Sequence, residues 1–131
     1  MTTKTKAIGY WATTGLLALA MGGGGAGQLA HAKDNVEGIV HLGYPVYFLT
    51  ILGIWKLLGV AALLAPGLPR LKEWAYAGFF FAMTGATASH LACGDPTWHS
   101  VVTVTLCGVT VASWALRPAS RTLGATSHER A

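Results

Sequence analysis

One lysine, Lys56, lies in the middle of an apolar run that extends from Val46 to Ala65. A charge at the centre of a bilayer-length helix costs about 2.5–3.5 kcal/mol on insertion scales, so such a group is normally paired, hydrated or used. In apolar surroundings an ammonium group can neutralise an anion, or donate hydrogen bonds to the carbonyls of an otherwise apolar ring. The residues whose types fit beside it are His90, Glu37, His41, Trp55 and Tyr44, with Tyr47 close to Tyr44 in the chain. Helical side chains lean toward the N-terminus of their own helix. If Lys56 and His90 stand on antiparallel neighbours, they therefore converge in depth. Glu37 and His41 are four residues apart, on one face of a short helix whose other face carries Val36 and Ile39. Glu37 is the acid expected to reach Lys56.

Other chemistries fit less well. His31, His41, His90 and His99 fall toward the same side, but no pair has a tight ligand spacing, so no metal is expected. Cys93 and Cys107 are too few for a disulfide framework, stand at different depths, and form no Cys-x-x-Cys motif. No nucleophile–base pair or phosphate loop is visible, which favours an accessory protein over an independent catalyst.

These side chains need elements to position them. The chain is 53% hydrophobic and only 11% charged, where a soluble domain would carry roughly a quarter charged residues. That balance implies one integral membrane domain in contact with a lipid bilayer. The formal net charge of +4 is spread along the chain without a basic, aromatic-interleaved stretch, so nucleic acid is not expected as a partner. Four apolar runs, Ile8–Leu29, Val46–Ala65, Trp74–Ala92 and His99–Leu116, approach the ~20 residues of a helical span. They lack the period-two alternation of barrel strands. The predicted fold is all-α: a four-helix transmembrane bundle with a short interfacial helix in the first outer loop. It occupies residues 1–117, and residues 118–131 form a disordered cytoplasmic tail.

Lys4 and Lys6, then Arg70 and Lys72, then Arg117, Arg121 and Arg130 alternate with loops in which Lys33 is the only lysine or arginine. The positive-inside rule places both termini of a multi-pass membrane protein in the cytoplasm. Tyr10, Trp11, Trp74 and Trp114 then mark the inner boundary, and Tyr44, Tyr47 and Trp98 the outer one. The N-terminal lysines and Ala30-His31-Ala32 resemble a signal peptide, but the apolar run between them is long for one, and it is read as a span.

Pro66-Gly67-Leu68-Pro69 and Gly94-Asp95-Pro96 close two hairpins. Asp34-Asn35-Val36-Glu37 has the spacing of a capping box, with Asp34 as N-cap. Small residues recur along two stripes: Gly15, Ala18, Gly22 and Gly25 in the first run, and Ala75, Gly78, Ala82, Gly85 and Ser89 in the third. Both are expected to pack against other helices. Gly53 and Gly59 flank Lys56 and leave room for a helix or a ligand. The run Gly22–Gly25 is a place where the first helix could kink.

The stretch from Gly38 to Pro45, the sequence Gly53-Ile54-Trp55-Lys56-Leu57-Leu58-Gly59, the sequence Leu71-Lys72-Glu73-Trp74-Ala75-Tyr76-Ala77-Gly78-Phe79 and His90 resemble the DoxX-like family of small four-helix bacterial membrane proteins. The resemblance runs from Ile8 to about Leu116. Relatives carry a polar residue early in the second helix, where this chain has the apolar Leu49. The resemblance implies a redox-associated subunit of a complex in a bacterial inner membrane. The residues themselves suggest a quinone or lipid-like ligand for it, in a slot formed by Lys56 and His90 with Trp55, Tyr44 or Tyr47 nearby. Other membrane subunits, or further copies of the chain, would be its partners. Two other functions are open: a structural scaffold without a ligand, and a small-anion transporter acting as an oligomer.

Overall fold

The computed structural model describes residues 2–122. Its helices are α1 (Thr3–Leu29), α2 (Lys33–His41), α3 (Tyr47–Leu64), α4 (Pro69–Ala92) and α5 (Thr97–Ala115), followed by a 3-10 turn at Ala119–Arg121. There is no strand among the described residues. At 1.5 Å per residue the four long helices measure roughly 27 to 40 Å. By length and apolar composition α3 and α5 can cross a membrane. The other two are longer, but the glycine run of α1 and the opening Arg70-Leu71-Lys72-Glu73 of α4 dilute their apolar character.

Helix ends follow from local chemistry. The helix α1 starts at Thr3, ahead of the apolar run, because the Thr2 hydroxyl accepts a hydrogen bond from the Thr5 amide at 3.1 Å. In α4 the start moves from Trp74 back to Pro69, whose missing N–H costs nothing in a first turn. Three helices end on a left-handed residue: His31 (φ 54°), Gly43 (φ 90°) and Gly94 (φ 68°). In each case the next residue's amide reaches back to a carbonyl of the last turn: Ala32 to Gly27, Tyr44 to Ile39, and Asp95 to His90. This is the Schellman arrangement, and it folds Asp95 back over His90.

The four long helices form a ring in the order α3–α1–α5–α4. The seam between α1 and α3 is the most extensive, and the seam that closes the ring, between α3 and α4, is the thinnest. The apolar core is small: Leu17, Met21, Leu63, Tyr76, Phe79 and Met83. Beside it lies a buried polar network in which Ser113 of α5 meets Thr14 of α1 at 2.6 Å and Tyr76 of α4 at 2.8 Å. Outside, Leu19, Trp55, Leu58, Phe81 and Leu91 are all more than 60% exposed. Hydroxyls inside and large apolar side chains outside suit a lipid solvent, where exposed leucine costs nothing and buried hydroxyls hold helices together.

Several expectations are corrected. The chain of buried positions in α1 is Tyr10, Thr14, Leu17, Met21 and Gly25; of the small-residue stripe only Gly25 is in tight contact. A Cβ there would lie 2.9 Å from Lys56 Cβ and 3.2 Å from the Gly53 carbonyl oxygen. A Cβ on Gly53 would lie 2.8 Å from both the Gly25 oxygen and the Leu29 nitrogen. Gly53 therefore seats α1 and leaves no ligand space. Gly59 is covered by the Phe79 ring, 2.6 Å from a Cβ built on it. The α4 stripe is mixed: Ala75 and Ala82 pack against the apolar core, while Gly78 and Gly85 have nothing within 4 Å of a Cβ. The helix α1 is continuous through Gly22–Gly25.

The capping box at Asp34 does not form. The helix α2 begins two residues earlier, at Lys33, and its N-cap Ala32 makes no side-chain hydrogen bond. Glu37 pairs with Lys33, one turn back, at 3.9 Å. The tail expected to be disordered from residue 118 begins instead with the 3-10 turn, and Arg121 donates to the Leu63 carbonyl at 2.8 Å. The rest of that expectation, residues 123–131, lies outside the described residues.

The end of the bundle opposite α2 is held by charge. Lys72 is fully buried and donates to the carbonyls of Ala65 and Gly67, just past the C-terminus of α3. A cation at that position satisfies orphan carbonyls and the negative end of the helix dipole. Glu73 pairs with Arg117 at 2.8 Å and accepts from the Trp114 indole at 2.9 Å.

Candidate functional site

The thin seam between α3 and α4 opens into two cavities. One, of about 720 Å³, lies under α2 and reaches down α3 as far as Lys56. The other, of about 460 Å³, continues from Lys56 toward the opposite end, between Leu58, Ala62, Leu71, Trp74 and Gly78. Leu52, Lys56 and Ala82 line both. Together they make one groove along the seam. The small-residue stripe of α4 explains it: Ala75, Gly78, Ala82 and Gly85 are wall residues too short to fill the space.

Lys56 stands where the cavities join. The close approach of α1 sets its position, since its Cβ lies against Gly25 and its Nζ is 4.0 Å from a Cβ built on Gly24. A side chain on Gly25 would displace it. Among the described residues no carboxylate lies within ion-pair distance of its Nζ.

The α2 end of the groove is polar. Asp95, with a side chain only 8% exposed, bridges two imidazoles. His90 Nδ1 donates to its Oδ2 at 2.7 Å, and His41 Nε2 donates to its Oδ1 at 2.5 Å. These hydrogen bonds, from His90 first and His41 second, hold the Asp95 carboxyl below the ordinary aspartate value. His99 stacks on His90 with ring centroids 4.7 Å apart, and Trp98 stacks on His99 at 3.7 Å. Ser89 donates to the Gly85 carbonyl at 2.8 Å, so at 2.7 Å its oxygen accepts from the Tyr44 hydroxyl. Gln28 also lines this cavity, and its Oε1 is buried without a hydrogen-bond partner among the described residues.

Of the residues expected from sequence, Lys56, His90, His41 and Tyr44 all line the larger cavity. Trp55 lies on the smaller one, 64% exposed. Glu37 lines neither; its carboxylate points to solvent, paired with Lys33. His90 faces Asp95 and makes no bond to Lys56. Reading the sequence as spans and loops missed Asp95, treated there only as a turn residue, as well as Gln28 and Ser89. A signal for Asp95 did exist: a glycine four residues after His90, followed by an acid, is the pattern of a Schellman end that returns the acid to the histidine. No group of three or more His, Cys, Asp or Glu side chains able to hold a metal occurs among the described residues.

The arrangement is a slot with apolar walls, one unneutralised cation midway, and hydrogen-bonding groups at one mouth. Such a slot orients an amphipathic molecule. Neither the curated proteins nor the solved structures contain a match to this chain. Residues 12–113 match the DoxX-like family, and they include α3, the groove-lining length of α4, and both partners of the Asp95 bridge. With that match over most of its length, the chain belongs to the DoxX-like family of membrane proteins.

Proposed function

We propose that the chain is a four-span protein of a bacterial inner membrane, with both termini in the cytoplasm, that holds a quinone- or lipid-like molecule in the α3–α4 groove as an accessory subunit of a redox assembly. The observation that carries this reading is Lys56, unneutralised at the junction of two cavities in an otherwise apolar seam. The lysines and arginines gathered at the end opposite α2 support the orientation. A quinone ring offers two carbonyls on an apolar frame, and both accept hydrogen bonds, which suits the Lys56 ammonium as donor in an otherwise apolar seam. Electron transfer itself would belong to partner subunits.

The test is extraction. Lipids bound to protein purified in mild detergent are quantified by mass spectrometry for wild type and Lys56→Leu. Near-stoichiometric quinone or lipid in the wild type, lost in a folded variant, is the expected result. Equal content in both proteins would refute the assignment of the groove.

A further inference from the structure

We infer that the α3–α4 groove selects an amphiphile with an anionic head, a single-chain carboxylate type of molecule, whose head pairs with Lys56 and whose tail lies along the smaller cavity. This rests on the reading of the groove as a ligand slot and narrows it to the lipid-like molecule, by naming the charge of its head. Three observations lead to it.

The first is the cation itself. An ammonium in a low-dielectric seam is costly without a counter-charge, and none is within reach among the described residues. The second is that, among the described residues, a further copy of this chain has no acid to offer at that depth. The aspartates and glutamates of the helices and loops are Asp34, Glu37, Glu73 and Asp95. The first two lie on α2, Glu73 is committed to Arg117 at the opposite end, and Asp95 is held by His41 and His90. A carboxylate presented by a small amphiphile meets the need without a protein partner.

The third is the asymmetry of the two cavities about Lys56. Toward α2 the walls carry Asp34 and the His41–Asp95–His90 bridge, a polar mouth that suits a hydrocarbon tail less than the wall below. Away from α2 the walls are Trp55, Leu58, Ala62, Leu71 and Trp74, with no charged side chain below Lys56. From Lys56 to Ala62 this stretch follows α3 for roughly 9 Å. A head placed at Lys56 therefore has an apolar channel beneath it that accepts a hydrocarbon tail, and Trp55 and Trp74 flank that channel.

The experiment uses the full chain in nanodiscs and reads tryptophan fluorescence. The probes are 9,10-dibromostearate and its methyl ester at matched mole fractions; bromine quenches indoles in contact with the tail. The acid should quench saturably at about tenfold lower mole fraction than the ester, with the signal lost in Trp55→Phe/Trp74→Phe. Lys56→Gln should remove the preference for the acid, and Lys56→Arg should keep it. Equal saturable quenching by acid and ester in the wild type would overturn the anionic head while leaving an amphiphile slot in place. Absence of saturable quenching by either probe, as when a protein helix fills the groove, would overturn both readings. If Lys56→Gln does not fold, the acid–ester comparison in the unaltered protein still decides.

Discussion

Replacing Gly53 by alanine tests the contact that fixes Lys56. A Cβ on Gly53 would meet two backbone atoms of α1, the Gly25 oxygen and the Leu29 nitrogen, each at 2.8 Å. Neither can swing aside as a side-chain tip would, so the two helices must separate. Forcing a methyl group into a packed contact costs typically 1–3 kcal/mol, and a backbone clash on both sides belongs at the upper end, about 3 kcal/mol. Alanine recovers about 1 kcal/mol of helix propensity over glycine. The net loss is about 2 kcal/mol, roughly a 30-fold fall in the ratio of folded to unfolded protein. Gly78→Ala is the matched control, since nothing lies within 4 Å of its Cβ and only the propensity gain remains. Unfolding in mixed micelles, followed by circular dichroism, should show Gly53→Ala destabilised and Gly78→Ala unchanged or slightly stabilised. Equal stability of the two variants would refute a glycine-on-glycine crossing of α1 and α3.

Other outcomes follow from the same geometry. Asp95→Asn should loosen α2, read as faster hydrogen exchange across residues 33–41, because the charged bridge from His41 to the α4–α5 turn is lost. Since the carboxyl of Asp95 is held below its ordinary value, its contribution is fully present above about pH 3.9. It fades as pH falls through the lowered value, so wild-type exchange in α2 should rise only in strong acid. Lys72→Met should cost about 1–3 kcal/mol in unfolding experiments, because it leaves the buried carbonyls of Ala65 and Gly67 without their ammonium donor. Ser113→Ala should cost about 1–2 kcal/mol, because Thr14 and Tyr76 lose their shared partner, while leaving quinone or lipid content unchanged.

Much of the helical layout could be read from the chain because apolar runs stop at strong punctuation: Pro66 to Pro69, Gly94 to Pro96, and Gly43 to Pro45. Lean and depth turn Lys56 and His90 toward one another, and both line the larger cavity, although His90 bonds to Asp95 and not to Lys56. What failed were questions of who faces whom. Small-residue spacing reports that a face is short, not whether another helix closes on it. In α4 that face became a groove wall, and in α1 only Gly25 met a partner. Glu37 was assigned to Lys56 by charge alone, yet the exposed Lys33 is one turn away on its own helix and needs no tertiary approach. Lys72 read as an orientation signal and is in fact buried, because a turn that reverses between two prolines leaves carbonyls pointing inward. Asp95 emerged only once the left-handed Gly94 was placed.

The account stands on a molecule lodged beside Lys56. Native mass spectrometry of the full chain ejected directly from membrane vesicles weighs what it carries. A 1:1 adduct of amphiphile mass, absent from Lys56→Leu, is the predicted spectrum; a bare chain in both samples would contradict it.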